Sequence, residues 1–239
     1  MPGGDVVILP TYNERENLER IVPAVLAALP GAHVLVVDDG SPDGTGALAD
    51  GLAGREPRVR VLHRQRKEGL GRAYLAGFRA ALDAGYERIY EMDADFSHDP
   101  SFLPRLRDAA VDADLVLASR YGAGGAVEGW GLLRQVISRG GNLYAQLILG
   151  VPYRDLTGGF KCFHRAVLEG IGLGNVRSNG YAFQIEMTYR AHVHRFRIRE
   201  VPYTFRDRAV GVSKMSPRII LEAWPRVLEL RYRALTGKL

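Results

Sequence analysis

The chain has 239 residues and a mass of 26.4 kDa, with 46% hydrophobic and 25% charged residues; this globular balance excludes a disordered chain and allows one sizeable domain with a short appendage. A single cysteine, Cys162, rules out an internal disulfide framework and a thiolate metal cluster. The net charge of +5 is unevenly divided, with 14 Lys and Arg against 19 Asp and Glu in residues 1–120, and 18 against 8 in residues 121–239, so the first half suits a cation and the second an anion such as phosphate, a membrane surface or nucleic acid.

In chain order, the apolar run Val6 to Leu9 predicts a buried strand closed by Pro10, and Leu18, Ile21, Val22, Val25, Leu26 and Leu29 predict a helix over 14–29. Strands are predicted at 33–37, 59–62, 88–92 and 115–118, alternating with helices at 45–53, 72–84 and 101–110. This order predicts an α/β fold with a mainly parallel sheet and helices on both faces. Gly122 to Gly131 reads as a loop, and Leu132 to Leu149 as a helix interrupted at Gly140 and Gly141. Residues 155–163 and 198–205 read as extended. Pro217 to Leu235 predicts a basic amphipathic helix with a kink at Pro225, its apolar stripe formed by Ile219, Ile220, Ala223, Trp224, Val227 and Leu228. No apolar run reaches the length of a membrane span, and Val6 to Leu9 is too short for a signal-peptide core.

In open parallel sheets ligands bind beyond the carboxyl ends of the strands. Those ends carry Pro10-Thr11-Tyr12-Asn13-Glu14, Asp38-Asp39, Asp93-Ala94-Asp95 and Ser119-Arg120. Carboxylates gathered at one rim repel one another unless a cation or hydrogen-bond donors offset them, and a hard divalent cation does so most simply. A lone D-x-D is a weak signal; its place after a buried-type strand, on the rim with Asp39, strengthens it. His98 reads either as a ligand or as a capping residue. Gly69-Leu70-Gly71 is no dinucleotide fingerprint, because that motif follows the first strand and needs a third glycine. The acidic rim argues against nucleic acid as a partner.

Taken together, Leu9-Pro10-Thr11-Tyr12-Asn13-Glu14, Val37-Asp38-Asp39-Gly40-Ser41 and Met92-Asp93-Ala94-Asp95-Phe96-Ser97-His98 resemble the inverting family 2 glycosyltransferases of GT-A fold. Ser119-Arg120-Tyr121, Ile137-Ser138-Arg139-Gly140, Asp155 to Phe160, Gly180 to Glu186, Phe205 to Arg208 and Gly211 to Lys214 extend the resemblance toward the polyprenyl-phosphate mannosyltransferases, over roughly residues 5–215. The resemblance implies a catalytic domain over 1–215, with a donor half (1–120) and an acceptor half (121–215), followed by a helical segment over 216–239. It implies GDP-mannose as donor, bound by Pro10, Tyr12, Glu14, Val37, Asp39, Asp93, Ala94, Asp95, Arg120, Arg208 and Lys214, with UDP-glucose or another nucleotide sugar as the alternative and a non-enzymatic nucleotide-binding module as the contrasting class. Mg²⁺ or Mn²⁺ would be held by Asp95 and Asp93, with Ser97 where some relatives place a glutamine. The acceptor, a polyprenyl phosphate, would meet Arg120, Ser138, Arg139 and Arg208, and the catalytic set would be Asp93, Asp95, Arg120 and Lys214. Pro10 and Val37 also read as strand-end packing residues, and Arg208 and Lys214 as solvated charge.

The chemistry asks for little more. The lipid phosphate has its second pKa near ~6 and needs little general-base help. Cations that draw two anions together and stabilise the departing diphosphate matter most. The isoprenoid tail implies a peripheral site at the cytoplasmic face of a membrane, reached through 132–149, the last helix or a separate membrane-protein tether. Both helices read equally well as packed on the core.

Overall fold

The computed structural model describes residues 3–207 and 217–239, and the side chains of all of these except 217–223. Strands β1 (Asp5–Thr11), β2 (His33–Asp38), β3 (Val59–His63) and β4 (Arg88–Glu91) alternate with helices α1 (Arg15–Ala28), α2 (Thr45–Ala53) and α3 (Leu70–Asp83). Then follow α4 (Leu103–Ala109), β5 (Leu115–Ser119), β6 (Ala126–Glu128), α5 (Leu132–Leu149), β7 (Lys161–His164), α6 (Arg165–Gly170), α7 (Gly180–Val193), β8 (Ile198–Pro202), β9 (Thr204–Arg206) and α8 (Pro217–Leu235).

Seven strands form one sheet in the order β3-β2-β1-β4-β7-β5-β8. The first four are mutually parallel, and β5 is parallel to β8. The expectation of a mainly parallel sheet holds with one exception. Strand β7 inserts antiparallel between β4 and β5, and the rest of the extended stretch expected over 155–163 is a turn. The chain lays β2 and β3 to one side of β1 and returns with β4 on the other. That reversal opens a crevice between the carboxyl ends of β1 and β4.

Both faces are covered, as buried strands of alternating side-chain direction require. Leu18, Ile21, Val22 and Val25 of α1 pack with Leu103 and Leu106 of α4 beneath Val7, Leu9, Val34 and Val36. On the other face, Ala73, Tyr74 and Phe78 of α3 and Phe183 and Met187 of α7 cover Val6, Ile8, Leu35 and Val37. Gly77 admits this contact: a Cβ there would sit 2.8 Å from the Ile8 side chain. A satellite core joins Ala145 and Leu149 of α5 to Ile185 and Tyr189 of α7 and Val227 and Leu230 of α8.

Helix α5 runs unbroken through Gly140 and Gly141, contrary to the interruption expected from sequence. Each glycine costs a helix about 1 kcal/mol, but anchors on both sides outweigh this. Asn142 donates to the Ser138 carbonyl (2.9 Å) and accepts from the backbone N–H of Leu156 (2.8 Å), and Ala145 and Leu149 are buried. The inward face of α5 is therefore polar at Ser138 and Asn142. Its outward face exposes Leu132 (82%), Leu133 (73%), Val136 (66%), Leu143 (55%) and Leu147 (73%). Among the described residues no helix is long and apolar enough to cross a membrane. In α8, Val227 is buried whereas Leu228 is exposed, so the sequence stripe overstates the packed face; its Ile219, Ile220 and Ala223 lie outside the described side chains.

Candidate active site

The crevice between β1 and β4 opens into a cavity of about 160 Å³ lined by Pro10, Tyr12, Glu14, Asp39, Lys67, Leu70, Asp93, Ala94 and Asp95, among others. Seven residues singled out in the sequence thus share one space. Val37 does not. It is fully buried and packs beneath Gly77 of α3, so its side chain fills the core rather than the cavity wall. Asp38, next to Asp39, faces away: it accepts from Thr11 Oγ1 (3.1 Å) and the Ser41 backbone N–H (3.1 Å) and so shapes the turn after β2. Asp39 pairs with Arg64, whose side chain is 13% exposed. Burial nonetheless raises the Asp39 carboxyl above its ordinary pKa, against the opposing pull of Arg64.

Two non-glycine residues with positive φ border the cavity, Asn13 (φ 58°) between Tyr12 and Glu14 and Phe96 (φ 61°) directly after Asp95. Left-handed backbone costs a bulky residue like Phe96 about 1–2 kcal/mol, and such strain concentrates at functional sites. The turn after β4 is held from several directions. The Asp93 backbone N–H donates to His98 Nδ1 (3.0 Å), the Ser97 N–H donates to Asp95 Oδ1 (3.0 Å), and Tyr203 Oη donates to the Ser97 carbonyl (2.6 Å). His98 stacks on Phe160 with ring centroids 4.9 Å apart. Of its two sequence readings the structure supports the capping one, since Nδ1 accepts from the backbone.

Asp93 and Asp95 offer hard oxygen donors on the cavity wall, and Asp95 is 5% exposed. Among the described residues no group of three or more His, Cys, Asp or Glu is arranged to hold a metal. This donor set fits Mg²⁺ or Mn²⁺, which bind through one or two carboxylates and complete their shell with substrate phosphates and water. It does not fit a closed structural zinc site.

A second cavity, of about 250 Å³, adjoins the first and shares Leu70 and Asp93 with it. Ser97, Arg120, Trp130, Arg134, Tyr181 and Gln184 also line it. Ser97 thus faces this space rather than the first. Arg120 lies in it too, but is committed to Asp155: Nε and Nη2 donate to the two carboxylate oxygens (2.7 Å each), and Nη2 donates to Thr157 Oγ1 (2.8 Å). Arg120 is 7% exposed and Asp155 1%. Although burial pushes the Asp155 carboxyl up, Arg120 and its hydrogen bonds hold it below the ordinary value. Arg120 therefore lines the second cavity while its charge is paired with Asp155. Ser138 is buried and accepts from Tyr121 Oη (2.7 Å), and Arg139 is exposed; neither lines the cavity. Arg134, one turn earlier on α5, does, stacked 4.0 Å over the Trp130 ring. Arg208 and Lys214 lie outside the described residues.

Sequence reasoning missed Lys67, Arg134 and a buried pair beneath the rim. Lys67 lies 4.0 Å from the Tyr12 ring centroid. Glu91 and Lys161 face each other across β4 and β7. Burial raises Glu91 to about 8 and lowers Lys161 to about 8, so burial drives both toward their neutral forms. Lys161 Nζ donates to the Gln184 carbonyl (2.9 Å) and Thr188 Oγ1 (3.1 Å), fixing α7 against the sheet. In sequence, a lysine inside a strand carries no hint of this.

The family model "Glycosyl transferase family 2" matches residues 6–172. The chain is 54% identical over 226 residues to polyprenol monophosphomannose synthase of Mycolicibacterium smegmatis, covering 94% of this chain and 85% of that protein. It is 48% identical over 218 residues to undecaprenyl-phosphate mannosyltransferase of Micrococcus luteus, covering 91% and 90%. Among solved structures it is similar to glucosyl-3-phosphoglycerate synthase from Mycobacterium tuberculosis with phosphoglyceric acid, at a TM-score of 0.72 and 19% identity, covering 96% of this chain and 80% of that one. At that identity the likeness establishes the GT-A fold.

Proposed function

The chain belongs to glycosyl transferase family 2, and from that premise we propose that this glycosyltransferase moves mannose from GDP-mannose to a polyprenyl phosphate with inversion. The observation that carries the reading is the shared cavity at the sheet's reversal point, where Tyr12, Glu14 and Asp39 stand across from Asp93 and Asp95. The names of the two relatives supply the sugar and the acceptor class. We assign residues 1–120 to the donor, 121–215 to the acceptor and 216–239 to an appended helix.

The acceptor phosphate oxygen attacks the anomeric carbon from the second cavity. The bond from that carbon to the GDP oxygen breaks on the opposite side, and GDP departs with the bonding electrons. The acceptor is already ionised, so no proton need move. Tyr12, Glu14, Asp39 and Lys67 hold the nucleotide. Asp93 and Asp95, with Ser97 as a further oxygen donor, would hold a divalent cation, which when bound offsets charge on the departing diphosphate. Arg134 and Arg120 face the acceptor phosphate from the second cavity, joined by Arg208 and Lys214, which complete the cationic set in this reading. Preorganised charge of this kind acts where the transition state develops it.

The acceptor's tail places the reaction at a membrane surface. The apolar outward face of α5 supports a peripheral approach, which in this reading is at the cytoplasmic face: a helix that buries Ser138 and Asn142 while exposing five large apolar residues has its hydrophobic side turned to its surroundings. Incubation with GDP-mannose or UDP-glucose, a short polyprenyl phosphate and Mg²⁺ or Mn²⁺, followed by mass analysis of the lipid, tests the reading. A hexose added only from GDP-mannose is the expected result. No lipid product from GDP-mannose overturns it.

A further inference from the structure

The walls of the two cavities are joined from behind by a contact that no motif announces. Helix α3 begins after Gly69, which has no side chain to cap it. The missing cap comes from a residue 108 positions away: Asn179 Oδ1 accepts from the Gly71 backbone N–H at 2.8 Å. The same oxygen accepts from the Gly180 N–H at 2.9 Å, at the start of α7. The amide nitrogen of Asn179 donates to the Glu68 carbonyl at 2.9 Å. One exposed amide therefore caps two helices and ties down the loop between β3 and α3. Glycine at 69 is required for this, because a Cβ there would lie 2.0 Å from Asn179 Nδ2 and φ is +102°.

What is tied together matters for the chemistry. The loop from β3 supplies Arg64, which pairs with Asp39, and Lys67 and Gly69, which line the donor cavity together with Leu70 at the start of α3. Gly180 and Tyr181, just after Asn179, line the second cavity. We propose that Asn179 is a positioning residue that sets the donor cavity wall against the acceptor cavity wall, so that both substrates meet in the alignment transfer requires. This rests on the function proposed above. Reactions that join two bound partners lose rate steeply when either wall shifts, on the order of 10²-fold for ~1 Å.

The test compares wild type with Asn179→Ala and Asn179→Asp. Alanine removes all three bonds. Aspartate keeps an acceptor for Gly71 and Gly180 but turns a carboxylate oxygen toward the Glu68 carbonyl. Expected for Asn179→Ala is a loss of about tenfold or more in kcat/KM for mannosyl transfer, divided between a raised nucleotide-sugar KM and a lowered kcat. Asn179→Asp is expected to recover the melting temperature while its nucleotide-sugar KM stays raised. Wild-type kinetics in folded Asn179→Ala overturns the proposal, as does a kinetic loss that merely follows melting temperature through both variants. If the alanine variant does not fold, wild-type KM in Asn179→Asp overturns it. Amide exchange without substrate separates this inference from the reading of function: Gly71 and Gly180 should exchange about tenfold faster together in Asn179→Ala, and unchanged exchange overturns the proposal. A wild-type protein that transfers no mannose defeats the functional reading instead.

Discussion

The cavities proposed for donor and acceptor share a wall at Leu70 and Asp93 but are lined mainly by charges of opposite sign. On the donor side, Glu14, Asp39, Asp93 and Asp95 come from the ends of three neighbouring strands and stand around one small space. On the acceptor side, the basic residues are mostly tied to protein carboxylates: Arg120 to Asp155, Arg134 to Asp207 and, deeper, Arg190 to Glu186. Charges on both sides are partnered within the protein, Asp39 by Arg64 and Arg120 by Asp155, but the carboxylates are gathered around one small space, whereas the basic residues are spread through the surrounding framework. The net charge of +10 over residues 121–239 already counts these paired carboxylates, so it describes the half as a whole rather than the charge that lines the second cavity.

The sharpest way to break this comparison is at the donor rim. Asp95→Ala is expected to lower kcat/KM by about 10³-fold or more, on the order of 4 kcal/mol of transition-state stabilisation, with little change in melting temperature. Steady-state kinetics with metal titration reads it. Near-normal activity with normal metal dependence would remove Asp95 from the site.

On the acceptor side, breaking the pair between Arg120 and Asp155 should cost folding as well as turnover. Asp155→Asn leaves the Arg120 guanidinium buried without its counter-charge, and an orphaned buried ion costs about 3–5 kcal/mol. Denaturant unfolding measures it, and the double change Arg120→Met with Asp155→Asn should recover most of the stability without recovering turnover. The pH dependence has a definite sign. The folded Asp155 carboxyl sits below its ordinary value of 3.8, so its contribution is present above that value and is lost as pH falls through the folded pKa. The wild-type melting temperature should drop more steeply below about pH 4 than that of the double variant; parallel curves would contradict the assignment.

The same contrast explains what could be read from the sequence. The donor rim was legible because its residues follow strands directly: Pro10 to Glu14 after β1 and Asp93 to Asp95 after β4 need only strand boundaries and a parallel sheet to converge. The acceptor side depends on pairings across long intervals. Nothing local in Ser119-Arg120 tells that Asp155 will neutralise the arginine, or in α5 that Arg134 rather than Arg139 turns toward the cavity. That choice is made when Asn142 docks on the turn at 155–158 and Ser138 on Tyr121, which also turns the leucines outward and carries the helix through its two glycines. Strand β7 escaped notice as an antiparallel insertion because four residues, Lys161 to His164, give too little pattern to fix direction.

A smaller effect sharpens the account of the outward face. Leu133 and Leu147 are 73% exposed, so Leu133→Glu and Leu147→Glu should each shift folding stability by about 0.5 kcal/mol or less. Each should weaken partition to anionic vesicles by about tenfold, the loss expected when a largely buried leucine becomes a charge at an interface. Unaltered vesicle binding in the double variant would assign membrane approach to another surface.

The smallest expected change bears on whether α5 is a rod or a hinge. Gly141 lies within the helix, and a Cβ built on it meets no atom within 4 Å. If the helix is continuous in solution, Gly141→Ala narrows the unfolded ensemble without a clash and stabilises the protein by about 0.5–1 kcal/mol. For a chain of this size that is a rise of about 2 °C in melting temperature, with vesicle binding unchanged. A fall in melting temperature would mean that the helix bends at Gly141. In that case the outward leucines before and after it would not form one surface, and the acceptor side would owe its membrane contact to a movable joint rather than to the buried polar anchors at Ser138 and Asn142.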